Sequence, residues 1–464
     1  MLVEALDEQI AIGARTVVHL HQHLNELKAQ SRERLAKFLQ TERDYLTPSE
    51  DERVRQLLVS YWHARNALLD TVAQFRRFDA DRKDIDRRTR DRVFLVGFTA
   101  AVILVDAGRF LRELCKPNPV VKARLNSPEP AFGIPEDAYN IVQDNMTSPV
   151  NAWHLYHANK QFNQRQQQLE ECAAGNETLS ALLKIAGGMA ESVRLSKRRY
   201  AKARLRIRAG QLSRAVTEDT FGRASGWVIE MCSRAIGKIG VRPGHRPALP
   251  MPIREQLGPL LQPGDVIVTR KQYAATNYFL PGYWPHAILY LGDCETLESL
   301  GLHEHENMKP RWERLLRIDN GERRRVLEAM ADGVRLRSVL SAFSVDAVTV
   351  IRPELSLPQR LEGIGRGLFH ESKPYDFDFD FTQSHRLVCT EVVYRSYEGI
   401  GGMQFRLTPR VGRMTLAAED LLRMALAGEG FQLVAMCLPG ESTLTIGNDA
   451  AHKLRRSIGE NAGD

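Results

Sequence analysis

Paired cysteines are what this chain most obviously lacks. Its six, Cys115, Cys172, Cys232, Cys294, Cys389 and Cys437, are scattered with no C-x-x-C spacing. That argues against a disulfide framework and a cysteine zinc site, and it fits a reducing compartment. The N-terminal stretch MLVEALDEQIAI carries acids where an export signal needs basic residues. Long apolar runs are missing too. The longest, residues 93–105, is uncharged over 13 residues, too short to span a bilayer, and reads as a buried helix. Nor does one sign of charge dominate: a net +7 over 464 residues permits acidic partners without demanding nucleic acid. These absences lead us to expect a cytoplasmic protein.

What is present is ordinary globular material, 43% hydrophobic and 26% charged, in a chain too long for one core. At least two domains are expected. The first, residues 1–240, shows helical periodicity and no clear strand signal. Thr47-Pro48-Ser49-Glu50 is a capping box with proline at the first helical position, so a helix starts there. Residues 76–92 are dense in alternating charge and read as a solvated face. Five prolines from Pro117 to Pro135 mark an irregular connection, with helix again over 136–172 and 178–216. His19 and His23 share a helical face, but without a third ligand they do not make a metal site. From Arg194 to Arg208 the piece RLSKRRYAKARLRIR holds eight basic residues. It is a solvated face or, alternatively, a surface for an anionic membrane or RNA, which would place the protein at the membrane periphery.

The texture changes at the proline-rich stretch GVRPGHRPALPMP, and residues 241–257 read as a linker. Residues 258–440 then alternate short strands with helices. Strands are expected at DVIVTR (265–270), HAILYLGD (286–293), RRVLEAM (324–330), AVTVIRP (347–353) and FQLVAMC (431–437), bounded by Gly, Pro and Asp. Helices fall at 389–397 and 416–427, and 441–464 reads as a tail. The fold class is α+β: an all-helical domain, then a mostly antiparallel sheet with a packed helix.

Within LVCTEVVY (387–394), Cys389 opens a helix, where unpaired N–H groups and the dipole favour a thiolate. His286 begins a strand directly after Trp284-Pro285. A histidine at a sheet rim opposite a cysteine at a helix N-terminus is the layout of a cysteine hydrolase. An ordinary thiol, with a pKa of about 8.5, needs such a base at neutral pH. A polar third residue should orient the imidazole. Glu328, on the next strand, is preferred; Glu298 in TLESLG is its rival. Each residue alone has an ordinary reading in packing or solvation, and only the combination points to chemistry.

PGDVIVTR, PGYWPHAILYLGD, VLEAMADGV, VTVIRP, YDFDFD and LVCTEVVY, in that order, resemble the permuted papain-like NlpC-type cysteine hydrolases. The YiiX/YebB-like group is the nearest match, and lecithin retinol acyltransferases are more distant relatives. The resemblance covers residues 258–437. It implies a permuted papain-like domain with Cys389 as nucleophile, His286 as base and Glu328 as orienter. No cofactor or metal is expected. It also implies an amidase or esterase acting on a small-molecule, peptide-like or lipid-like acyl substrate. An acyltransferase, or a silent scaffold working through the helical half, are the alternatives. The charged insertion 294–325 departs from the family pattern. Its HEHE run, His303 to Glu306, could bind a metal but reads rather as a mobile, solvated loop. Tyr375 and Asp376 could shape the pocket, His385 could line it, and Asn277 and Tyr283 lie where a substrate would pass. No specific nucleic-acid partner is expected, and oligomeric state is not legible.

Overall fold

The computed structural model describes residues 2–39, 45–79, 86–115, 119–147, 149–190, 248–272, 282–319, 321–381, 384–410 and 413–460. The basic segment 194–208, Asn277 and most of the proline-rich linker lie outside them. The chain divides into two units, a helical one before residue 245 and a mixed one from residue 245 to Asp464.

The helical unit contains α1 (Leu2–Leu39), α2 (Pro48–Asp79), α3 (Arg87–Cys115), α4 (Pro119–Leu125), α5 (Ala138–Thr147), α6 (Pro149–Gln164), α7 (Gln166–Ala173) and α8 (Glu177–Ala190). The capping box at α2 forms: Thr47 N–H donates to Glu50 Oε2 at 2.8 Å, and Glu50 N–H reaches back to Thr47 Oγ1 at 3.4 Å. The apolar run 93–105 is the middle of α3, which packs against α1, α2 and α8. By length and composition α3 could cross a membrane, yet 67% of its most apolar stretch is buried inside the unit.

Of the stretch 76–92 expected as a solvated face, residues 80–85 lie outside the described residues; residues 86–88 are exposed, while at its end Asp91 is buried against Arg165 and Arg92 pairs with Asp7 at 2.5 Å. Two expectations fail here. The proline-rich connection contains α4, and the single helix expected over 136–172 is broken before Pro149 and at Arg165. Proline at the first position of a helix is favourable, so these prolines start helices instead of preventing them.

The mixed unit is built on β1 (Val266–Arg270), β2 (His286–Tyr290), β3 (Ile318–Asp319), β4 (Glu322–Met330), β5 (Gly333–Ser338), β6 (Ala347–Pro353) and β9 (Phe431–Cys437). A separate hairpin pairs β7 (Thr408–Arg410) with β8 (Arg413–Thr415). The main sheet runs β3-β4-β2-β1-β6-β9, with β5 also paired to β4, and its pairings are antiparallel. Its helices are α9 (Met251–Leu257), α10 (Cys294–Ser299), α11 (Trp312–Leu315), α12 (Val339–Ala342), α13 (Leu357–Leu368), α14 (Cys389–Tyr397), α15 (Ala418–Ala427) and α16 (Gly447–Ser457).

Strand alternation sorts the side chains. Ile267, Ile288, Tyr290, Val326, Val348 and Val350 share a buried cluster with Ile253 and Leu257 of α9 and with Phe343. The alternate residues Val268, Ala287, Leu289 and Leu327 are buried as well. The sheet is thus covered on both faces, which is why its strands read as nearly continuous apolar runs.

Helix α13, not foreseen from the sequence, packs along α14. A Cβ at Gly363 would stand 2.3 Å from the Tyr397 ring, and one at Gly367 would stand 2.6 Å from Ser396 Oγ and 2.8 Å from Leu289. These two glycines, four apart on one helical face, let α14 lie close. Tyr397 then donates to the Gly264 carbonyl at 2.6 Å, tying the end of α14 to the turn before β1.

Three further expectations need correction. The end of the expected linker is α9, whose Ile253 and Leu257 belong to the core. The expected tail 441–464 includes α16, with Ala450 and Leu454 buried. The charged insertion is ordered. Cys294, Leu297, Leu302, Met308 and Leu315 are buried within it, and these apolar residues at short spacing anchor its charged surface.

Candidate active site

Cys389 is the first residue of α14, preceded by Val388 in an extended conformation. The break from extended loop to helix leaves the first-turn N–H groups without intrahelical partners. The N–H of Thr390 and that of Ala287, from β2, both donate toward the Cys389 sulfur. His286 is the first residue of β2, and its ring forms a hydrogen bond with the Cys389 thiol. Ring Nε2 lies 2.8 Å from Glu328 Oε1, which leaves Nδ1 for the sulfur. Glu328 comes from β4, the neighbour of β2 in the sheet. The structure therefore brings together Cys389, His286 and Glu328. Glu298, by contrast, is exposed on α10.

A further member was not foreseen. Arg337 of β5 places Nε 3.2 Å from Glu328 Oε2 and also pairs with Asp332 in the β4–β5 turn. The Arg337 side chain is 2% exposed and that of Asp332 fully buried. A continuous line of charge thus runs Asp332, Arg337, Glu328, His286, Cys389. Its only sequence signal was an arginine alternating with apolar residues in GVRLRS.

The electrostatics follow from this line. Burial opposes charge on the Cys389 sulfur, but the adjacent His286 and the two N–H groups outweigh it and lower the thiol pKa. Burial also opposes a charged imidazole, and the Cys389 and Glu328 charges overcome it, raising His286. Glu328 would be pushed up by burial, yet His286 and then Arg337 bring it down to about 2. All three shifts favour a thiolate–imidazolium pair beside a carboxylate. Cys389 is 1% exposed and the imidazole 25%, so solvent reaches the pair from the histidine side.

The surroundings hold this geometry. Glu419 of α15 accepts from the N–H groups of Tyr283 and Trp284, fixing the loop ahead of His286. Trp284 is fully buried and its Nε1 donates to Ser457 Oγ of α16 at 2.9 Å. Arg270 lies over the Tyr283 ring at 4.2 Å. Tyr375 packs on Phe377 at 5.0 Å; burial, then the Cys389 charge, raise its phenol well above the ordinary value. Asp376 is buried and accepts from the N–H groups of Asp378 (3.0 Å) and Asp380 (2.7 Å), which folds the YDFDFD loop around it. Glu391, two residues past Cys389, is buried and held by Arg395; burial dominates and pushes its carboxyl up to about 8. His385 is exposed, with its Nε2 accepting from Arg386.

Among the described residues, no group of His, Cys, Asp and Glu is arranged to hold a metal ion. In the HEHE run, His303 packs against Trp312, Glu304 pairs with Lys309 at 2.6 Å and His305 accepts from Asn307 N–H. Cys115, Cys172, Cys294 and Cys437 are free and buried, and burial raises the pKa of each.

A histidine at the start of a strand, set ahead in sequence of a cysteine that opens a helix packed on the same sheet, defines a permuted papain-like fold of the cysteine amidase class. Residues 260–439 match the model of the family described as permuted papain-like amidase enzyme, YaeF/YiiX, C92 family, and the mixed unit is a cysteine amidase-like hydrolase domain. No curated protein and no solved structure matches the chain.

Proposed function

We propose that the mixed unit cleaves an amide or ester acyl bond through Cys389, with His286 as acid and base and Glu328 as orienter. The observation carrying this reading is the unbroken contact from the Cys389 thiol through His286 to Glu328. The Cys389 thiolate attacks the carbonyl carbon, and the new C–S bond leaves a negative oxygen. The positive end of α14, with the Cys389 N–H, stabilises that oxygen. Imidazolium then gives its proton to the departing amine or alcohol, and a thioester remains. Water, deprotonated by the now neutral His286, attacks the thioester, releases the acid and restores the thiol. Glu328 keeps the ring in one orientation and favours its charged form throughout.

Compact acyl donors, peptide-like or lipid-like, are the substrates this reading favours. The experiment is to treat the full chain with p-nitrophenyl esters and peptide anilides and to look for an acyl adduct on Cys389 by mass spectrometry. A burst of product with a matching mass increase, absent in Cys389→Ala, is expected. Turnover that persists in Cys389→Ala, or no adduct from any acyl donor, would overturn the reading.

A further inference from the structure

The helical unit contains a second feature with its own chemistry. A recess of about 510 Å³ is lined by Arg87 and Arg90 of α3, by His157, Lys160, Gln161 and Gln164 of α6, and by Arg165 at the break between α6 and α7. Four of the seven lining residues are cationic and none is a carboxylate. This volume lies in the range of small-ligand sites, roughly 300–1,000 Å³.

Two structural details sharpen the picture. Helix α3 begins at this recess, and its first turn holds no acidic residue although the positive end of a helix ordinarily attracts them. Asp86, just ahead of it, directs its carboxylate to Thr89 N–H at 3.0 Å and Thr89 Oγ1 at 2.6 Å. Arg165 is held in place by Asp91, which is buried, and by Gln168 Oε1 at 3.3 Å. Its guanidinium is therefore a fixed part of the wall, while Arg87 and Lys160 stand exposed at the rim where they can close over a ligand. Arginine forks and a lysine ammonium converging from three elements are suited to oxyanions.

We propose that this recess binds a compact polyanion carrying two or more phosphate-like groups. Arg165 and Arg90 form the floor, Arg87 and Lys160 the rim, and Gln161 and Gln164 supply neutral hydrogen bonds. Such groups occur on soluble metabolites and on lipid headgroups, and the two sources are separable by experiment.

The test is isothermal titration of the full chain with inorganic pyrophosphate at low salt. One site per chain is expected, weakening as salt is raised. The double variant Arg87→Gln/Lys160→Gln should lose at least about tenfold in affinity, because two charge-assisted contacts are removed. Gln164→Glu, which adds a negative charge to the wall, should lose a similar amount. Arg406→Gln, at a side chain 88% exposed in the other unit, should bind as wild type does. Sedimentation with vesicles containing phosphatidylinositol bisphosphate, whose headgroup carries more than one phosphate, separates the sources. Vesicle binding that pyrophosphate competes away and the double variant loses assigns a headgroup, and pyrophosphate binding alone assigns a soluble ligand; either supports the site. No binding of either probe, or equal binding by both recess variants and wild type, overturns the proposal.

Discussion

Glu328→Gln isolates the charge of the third residue from its shape. The amide fills the same volume and still offers an oxygen to His286 Nε2, now 2.8 Å from the carboxylate. Arg337 retains Asp332, so no buried cation is left alone. A hydrogen bond between charged partners contributes about 1.5–3 kcal/mol. At about 1.4 kcal/mol per pKa unit, the imidazolium should become easier to deprotonate by roughly one to two units. The Cys389 thiolate exists in company with that imidazolium, so its apparent pKa should rise by a similar amount. The assay is the rate of Cys389 alkylation against pH, followed by mass spectrometry. Wild type should react well below the ordinary thiol value of about 8.5. Glu328→Gln should shift the midpoint upward by one to two units, and His286→Ala should carry it to the ordinary value or above, since burial alone raises it. Glu298→Gln should leave the profile unmoved. An unshifted midpoint in Glu328→Gln would refute the idea that this carboxylate's charge supports the pair.

Other expectations follow from the same contacts. Arg337→Met strands Asp332 and the second oxygen of Glu328 in a dry interior, so chemical denaturation should show a loss of about 3–5 kcal/mol. Gly367→Ala forces a methyl against Ser396 and Leu289, and a loss of about 1–3 kcal/mol is expected, with slower Cys389 alkylation as α14 shifts. The depressed Glu328 contributes stability that is present above its ordinary pKa of 4.5 and lost as pH falls through about 2. A native-like unfolding midpoint near pH 5 should therefore drop more steeply with acid in wild type than in Glu328→Gln. Ser457→Ala removes one hydrogen bond and should cost about 1 kcal/mol in thermal unfolding, whereas deletion of α16 should also weaken Cys389 reactivity by freeing the Trp284 loop.

Much of the mixed unit was legible because its signals are local. The strands at 347–353 and 431–437 and the helix at 389–397 were read with their observed bounds, since Gly and Pro fence short apolar runs. The meeting of Cys389, His286 and Glu328 was legible from position: strand start, helix start and neighbouring strand. Arg337 was not, because its partner Asp332 is reached across a hairpin turn and no spacing rule announces a buried ion pair. Helix α13 was missed because Gly363, Gly365 and Gly367 lower helical propensity. Those same glycines are required by close packing, which is visible only when the neighbouring helix is in place. The order within the insertion escaped notice because charge dominates its composition while a few apolar residues anchor it.

The bond from Trp284 to Ser457 also sets a schedule. The histidine strand is made first, the nucleophile about a hundred residues later, and the helix that steadies the loop beside the histidine last. About 68 residues separate Cys389 from Ser457. At roughly 5–20 residues per second, a ribosome takes roughly 3–14 s to cover that distance. During that interval the cysteine, the histidine and the glutamate are already in the chain, and what is still missing is the α16 hydroxyl that ties down Trp284 beside the histidine strand.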